Sequence, residues 1–293
     1  MNYLLLAFSL FILSEIHAQD CDYLNLVTET PFFIKIPVYD QKNDNICYAY
    51  SAAQLIDFHL LKGGAVKNKT HPLWVAFNYA QIKKQENIEI GHTDLALQGI
   101  KQAGICEYEK ISSLISKWER LIKESDILNK LLAVTCSQKE ILHFGNIVKY
   151  NHRQLPTDES FGHFIKTKLN EKQGPISMAY CSNIWKDSNY DGIDLTSEGV
   201  RDFLKSDCRY HESLIVGKKI QNGSCHLLIR NSWGDRWRRE NKQWKCVCRD
   251  RLSEAYVDDC QPSTHSDEQY SIDSCWMPLD TLIRNVGTLT LIE

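Results

Sequence analysis

Apolar positions in the first part of the chain repeat with helical spacing, whereas those after Gly174-Pro175 come in short extended blocks. Residues 19–46 are mixed and Pro-containing, with an extended apolar run from Pro31 to Pro37. From Cys47 the pattern becomes a buried helix, Cys47-Tyr48-Ala49-Tyr50-Ser51-Ala52-Ala53-Gln54-Leu55-Ile56-Asp57-Phe58, ended by Gly63-Gly64. Thr93 to Ala103 reads as a second helix, capped by Thr93 and stopped by Gly104. A third is expected over Trp118–Ala133. A fourth is expected over Asp158–Leu169, where Phe161, Phe164, Ile165 and Leu169 share one face. Strands are expected at Ile176–Ala179, Leu214–Gly217, His226–Arg230 and Thr288–Leu291. Helices first and strands second predict an α+β protein with segregated lobes, an arrangement that often holds a site between them.

Composition narrows the class. With 43% hydrophobic residues and a net charge of −3, the chain is an ordinary globular protein with no strong field toward nucleic acid or an anionic membrane. The basic, aromatic run Arg236-Trp237-Arg238-Arg239 is followed by Glu254, Asp258, Asp259, Asp267 and Glu268, so it reads as a solvated loop. No nucleic-acid partner is expected. Tyr3 to Ser14 is an apolar run of roughly a dozen residues, short for a membrane span. Ile16-His17-Ala18 then presents the small residue signal peptidase prefers, so residues 1–18 are expected to be removed, leaving a secreted chain with no membrane contact.

Eleven cysteines, all after Ala18, fit an oxidising compartment. Eleven is odd, so five bridges would leave one free thiol. Cys246-Val247-Cys248, with Cys225, Cys260 and Cys275 nearby, raises the option of a metal site. Export and an even remainder favour disulfides, which would staple a loop poor in apolar residues. No metal and no cofactor is expected.

Cys47 sits where an irregular polar stretch, Gln41 to Asn45, turns into a helix. A sulfur at a helix N-terminus meets unpaired N–H groups and a macrodipole that favour a thiolate. Beside an imidazolium such a sulfur attacks carbonyl carbons. His211 opens a β run ending at Gly217, and a hairpin returns through His226–Arg230 to Asn231-Ser232-Trp233-Gly234. Adjacent strands would bring Asn231 beside His211, where the amide oxygen fixes the tautomer and aims the other ring nitrogen at the sulfur. His152, His163 and His226 compete on composition, but none has an Asn similarly placed after it.

These blocks resemble the papain family of thiol peptidases. Gln41, six places before Cys47-Tyr48-Ala49-Tyr50-Ser51-Ala52, is similar to its glutamine-to-cysteine segment. His211 with Gly217, and Asn231-Ser232-Trp233-Gly234 with Trp237, resemble its histidine strand and asparagine motif, in the family order. Gly91 with Ala96 resembles the opening of its substrate-cleft segment, and Gly174-Pro175-Ile176-Ser177 its first β-lobe strand. The likeness runs from about residue 30 to the end of the chain. It implies a two-lobe fold: a helical lobe over about 41–150, and an antiparallel, β-barrel-like lobe over about 151–293 with a Cys-rich insert at about 238–275. It also implies Cys47 as nucleophile, His211 as base and then acid, and Asn231 as the residue that orients it. Gln41 and the Cys47 N–H would hold the oxyanion, and Trp233 would shield the Asn–His bond. Gly91, Tyr48 and Glu212 would line the substrate cleft. The expected partner is a peptide or protein substrate, and the expected state a monomer.

The chain departs from that pattern in places. The family usually has Cys three residues before the nucleophile and Trp just after it; here stand Asp44 and Tyr48, and the bridge partner would fall near Ile88, also not Cys. Glu212 stands where a small residue commonly faces the second acyl-side subsite. Two roles are open for it: pairing with a basic substrate side chain, or pointing into solvent. Only about twenty residues lie between Ala18 and Gln41, too few for a helical inhibitory pro-segment. Asn68-Lys69-Thr70 and Asn222-Gly223-Ser224 are glycosylation sequons. Two other functions remain open: an inactive binding protein on the same scaffold, and thiol acyl transfer or amidase action in the same cleft.

Overall fold

A computed structural model describes residues 21–42, 44–64, 70–84, 88, 91–106, 108–118, 130, 132–136, 144–151, 155, 157–171, 174–191, 194–195, 201–202, 207–234, 244–261 and 269–293. The proposed signal segment, and most of the expected helix Trp118–Ala133, lie outside them.

The helices bounded within the described residues are α1 (Leu26–Glu29), α2 (Cys47–Lys62), α3 (Pro72–Lys83), α4 (Thr93–Ala103), α5 (Tyr108–Trp118), α6 (Asp158–Asn170) and α7 (Leu279–Ile283). Every residue of α2 from Cys47 to Phe58 is buried, as its unbroken apolar sequence requires of an enclosed helix. It packs on α3 and α4 on one side and on the sheet on the other. Helix α3 was not expected. Its residues are apolar on all sides, Trp74, Val75, Ala76, Tyr79 and Ala80 being buried, so no amphipathic period marks it. Helix α6 starts in a capping box, with Thr157 Oγ1 accepting from Ser160 N–H and Ser160 Oγ accepting from Thr157 N–H.

The strands are β1 (Leu24–Asn25), β2 (Ile147–Asn151), β3 (Ile176–Cys181), β4 (Asp194–Leu195), β5 (Arg201–Asp202), β6 (Tyr210–Gln221), β7 (Ser224–Arg230), β8 (Cys246–Asp250), β9 (Tyr256–Cys260), β10 (Tyr270–Pro278) and β11 (Val286–Ile292). Nine of them form one antiparallel sheet in the order β2-β11-β3-β6-β7-β10-β8-β9, with β1 pairing β6, while β4 and β5 form a separate pair. The sheet is open, with β2 and β9 at its edges, rather than closed into the expected barrel-like form. The Cys-rich insert is also not a loop: β8 and β9 extend the sheet beside β10. Cys246–Cys275 bridges β8 to β10, and Cys248–Cys260 bridges β8 to β9. Ladder hydrogen bonds and two covalent links thus hold a segment whose polar sequence gave no strand signal.

The N-terminal segment is part of this core. Cys21–Cys225 fixes it to the β6–β7 hairpin, whose turn carries Asn222 and Gly223 at φ 52° and 78°, the left-handed pair an Asn-Gly turn supplies. The apolar run expected to be extended contains a 3₁₀ turn at Phe33–Lys35. Phe33 lies under the Arg230 guanidinium at 4.6 Å, and Arg230 also donates to Ile36 O at 2.9 Å. That guanidinium pairs with Asp273 at 3.0 Å, both side chains being fully buried.

Candidate active site

Ten cysteines are paired in five disulfides; besides those already given, they are Cys106–Cys136 and Cys181–Cys208. The free one is Cys47. It is the first residue of α2, after Ile46, which has no side-chain cap bond. The N–H groups of Cys47 and Tyr48 therefore remain near the sulfur, and the Glu212 N–H reaches it from β6.

His211 lies on β6, one residue before Glu212, and is 4% exposed. Its Nε2 stands 2.6 Å from Asn231 Oδ1. An amide oxygen accepts only, so Nε2 carries the hydrogen and Nδ1 is left as the basic nitrogen. The amide cannot turn freely, because Oδ1 also accepts from Ser232 N–H at 2.7 Å. Trp233 lies against the imidazole at 4.6 Å between ring centroids, and Tyr180 meets it edge-on at 5.7 Å. This aromatic cover excludes water from the Asn–His bond.

Gln41 is held on three sides. Its N–H donates to Ser232 O at 2.7 Å, Ser232 Oγ donates to its Oε1 at 2.5 Å, and its Nε2 donates to Asp44 O at 2.8 Å. The amide cannot flip, and the second Nε2 hydrogen remains for another acceptor. Asp40 forms a β-bridge with Trp233. Gly234 makes the close approach possible: it has φ +53°, and a Cβ there would fall 2.6 Å from Asp40 Cγ.

No protein-family model matches the sequence, and no curated protein matches it. Solved structures do match. Xylellain, a cysteine protease from Xylella fastidiosa, aligns with 92% of this chain and 85% of its own, at TM-score 0.52 and 17% identity. The fold is papain-like. A digestive procathepsin L2 proteinase from the larval midgut of Tenebrio molitor aligns with 92% of this chain and 67% of its own, at TM-score 0.46 and 15% identity. Identities this low carry the architecture alone.

On this papain-like frame Tyr48, Gly91 and Glu212, the residues expected to line a cleft, take specific places. Tyr48 donates its hydroxyl to Ile88 O at 2.6 Å. This bond ties the start of α2 to Ile88. A Cβ at Gly91 would lie 2.7 Å from the Tyr48 ring, so the glycine lets the backbone rest on that ring.

Glu212 neither points to solvent nor stands free to pair with an incoming basic side chain. It is 3% exposed. Its Oε2 accepts from Thr93 N–H at 3.1 Å and from the Thr93 hydroxyl, and its Oε1 accepts from the Tyr210 hydroxyl. His92 Nδ1 is 3.9 Å away. The cap of α4 is thus a carboxylate from the sheet; Thr93, expected as the cap, is the first helical residue, and His92 before it makes no side-chain cap bond. Sequence reasoning missed both this link and the Ser232 clamp on Gln41. Ser232 at least lies inside the Asn-Ser-Trp-Gly signature.

The electrostatics differ from the expected ionised sulfur. Burial pushes the Cys47 thiol up to about 12, and the Glu212 charge adds to it against the pull of the nearby N–H groups. Burial pushes His211 down to about 4, the Asn231 bond opposing it. Burial also pushes the Glu212 carboxyl up to about 7, with the Thr93 and Tyr210 bonds opposing. Near neutrality Cys47 therefore rests as the thiol and His211 as the neutral imidazole. The arrangement sets an unpaired thiol, an imidazole of fixed tautomer and a clamped amide with a spare N–H on neighbouring segments.

Proposed function

We propose that this protein is a secreted cysteine peptidase that cleaves peptide bonds through a thioester on Cys47. The observation that carries the reading is the His211–Asn231 bond at 2.6 Å, which leaves Nδ1 as base next to the strand position whose N–H meets the unpaired sulfur. His211 Nδ1 takes the thiol proton as the sulfur adds to the scissile carbonyl carbon. The carbonyl oxygen, now anionic, accepts from the Cys47 N–H and Gln41 Nε2. The imidazolium returns the proton to the departing amine as the C–N bond breaks. A water molecule then gives His211 a proton, attacks the thioester carbonyl, and releases the acid and the thiol. Five disulfides fit an exported protein, and removal of residues 1–18 completes this reading.

One observation favours a second reading. A thiol only 7% exposed and raised to about 12 is what a non-cleaving binding protein on this scaffold would tolerate. Digestion of a peptide mixture under mild reductant separates the two. Wild type is expected to cleave, Cys47→Ala and His211→Ala to lose all turnover, and Asn231→Ala to retain a fraction of it. Intact activity in Cys47→Ala, or no cleavage by wild type at any pH from 4 to 9, would sink the peptidase reading.

A further inference from the structure

A cavity of about 390 Å³ opens beside the histidine, lined among others by Lys42, Tyr190, Asp187, Asp207, Arg209 and Trp233. Trp233 is the ring that lies against His211, and Lys42 follows Gln41 directly. Gly91, Tyr48 and Glu212 are absent from its lining. On the peptidase reading the leaving amine takes its proton from His211, and a cavity that shares Trp233 with that imidazole is open to the leaving portion of the substrate.

Its walls are rigid. Cys181–Cys208 joins the two segments that form them. Ser182 N–H and Oγ both donate to Arg209 O, Arg209 N–H donates to Asn183 Oδ1, and Asn183 Nδ2 donates to Asp207 O. Lys42 is set in a left-handed turn at φ 51°, its N–H donating to Asp40 Oδ1 at 2.8 Å. The carboxylates of the wall are turned to neutral donors: Asp207 Oδ1 accepts from the Tyr190 hydroxyl at 3.1 Å, and Asp187 Oδ1 from Asn189 N–H at 2.9 Å. The Lys42 ammonium and the Arg209 guanidinium have no carboxylate partner among the described residues. With Lys186 the lining carries three cations against the two carboxylates, and of the cations Lys42 and Arg209 are the ones offered to a ligand beside the aromatic wall.

We propose that this cavity binds a carboxylate on the leaving side of the substrate through Lys42 and Arg209, supplied either by an acidic side chain or by the C-terminus of the peptide. The proposal rests on the peptidase reading for the direction of the substrate. A guanidinium and an ammonium lining one cavity give about a tenfold preference for a carboxylate there.

Two peptide libraries test it, one C-terminally amidated with Asp and Glu allowed, the other free-acid and without acidic side chains. Each is digested by wild type and, separately, captured on Cys47→Ala, with the products and captured peptides sequenced by mass spectrometry. Enrichment of about tenfold is expected in at least one library, and the library that shows it names the source of the carboxylate. It should vanish in Lys42→Gln/Arg209→Gln, which should still cleave neutral peptides, and it should shrink as salt rises. No enrichment in either library, or enrichment that survives the double substitution, overturns the proposal. Capture that depends on Lys42 and Arg209 without any cleavage would instead keep the cavity and refute the peptidase reading.

Discussion

Glu212→Gln removes a charge from inside the protein while keeping the shape of the side chain and an acceptor for Thr93. The carboxyl is moved from its ordinary value of 4.5 to about 7 by burial, against the bonds from Thr93 and Tyr210. At 1.36 kcal/mol per pH unit this corresponds to about 3 kcal/mol. The folded value is the higher one, so between pH 4.5 and 7 the native chain binds more protons than the unfolded chain. The stability that protonated Glu212 contributes is complete below 4.5 and lost as pH rises through 7. The amide does not titrate. Relative to wild type, Glu212→Gln should therefore be about 3 kcal/mol more stable at pH 8 than at pH 4.5, about 6–10 °C in relative Tm. His92, Cys47, Tyr210 and Asp94 face the same carboxylate and are common to both proteins, so the difference between the two isolates Glu212 to first order. Thermal melts of both proteins, disulfides intact, at pH 4.5, 6 and 8 provide the measurement. A difference in Tm that is flat across this range, or that runs the other way, would refute the reasoning. The same substitution withdraws the charge facing the Cys47 sulfur, so the pH midpoint of its alkylation should fall.

Two further substitutions probe independent links. Gln41→Ala should lower kcat by about 10²–10³ with KM little changed, read from initial rates on one cleaved peptide, because the lost donor acts on the oxyanion rather than on bound substrate. Asp273→Ala strands the fully buried Arg230 guanidinium and should cost about 3–5 kcal/mol in urea unfolding, whereas an apolar replacement of both partners should cost far less.

The features legible from sequence were those set by neighbours along the chain. Cys47 opens its helix because the stretch from Gln41 to Asn45 cannot continue one, and Gly63 stops it. Asn231 meets His211 because a hairpin folds β7 back on β6, a pairing whose register runs from Gln221↔Ser224 to Leu214↔Arg230. The barrel-like form, the loop at 238–275 and the Thr93 cap were misread for a common reason. Each depends on a partner far away in sequence: β8 on β10, or Thr93 on Glu212 across 119 positions. The helix Pro72–Lys83 escaped because burial on nearly all sides erases its period. The protonation state of Cys47 follows the same rule. Its place at a helix terminus is local and favours the anion, whereas its burial and the charge of Glu212 are tertiary and oppose it. Desolvation is the first cause of the rise and outweighs the terminal N–H groups, so the thiol rests protonated. A motif can therefore single out a sulfur at the head of a helix, but its protonation is decided first by burial and then by the carboxylate that joins α4 to the sheet.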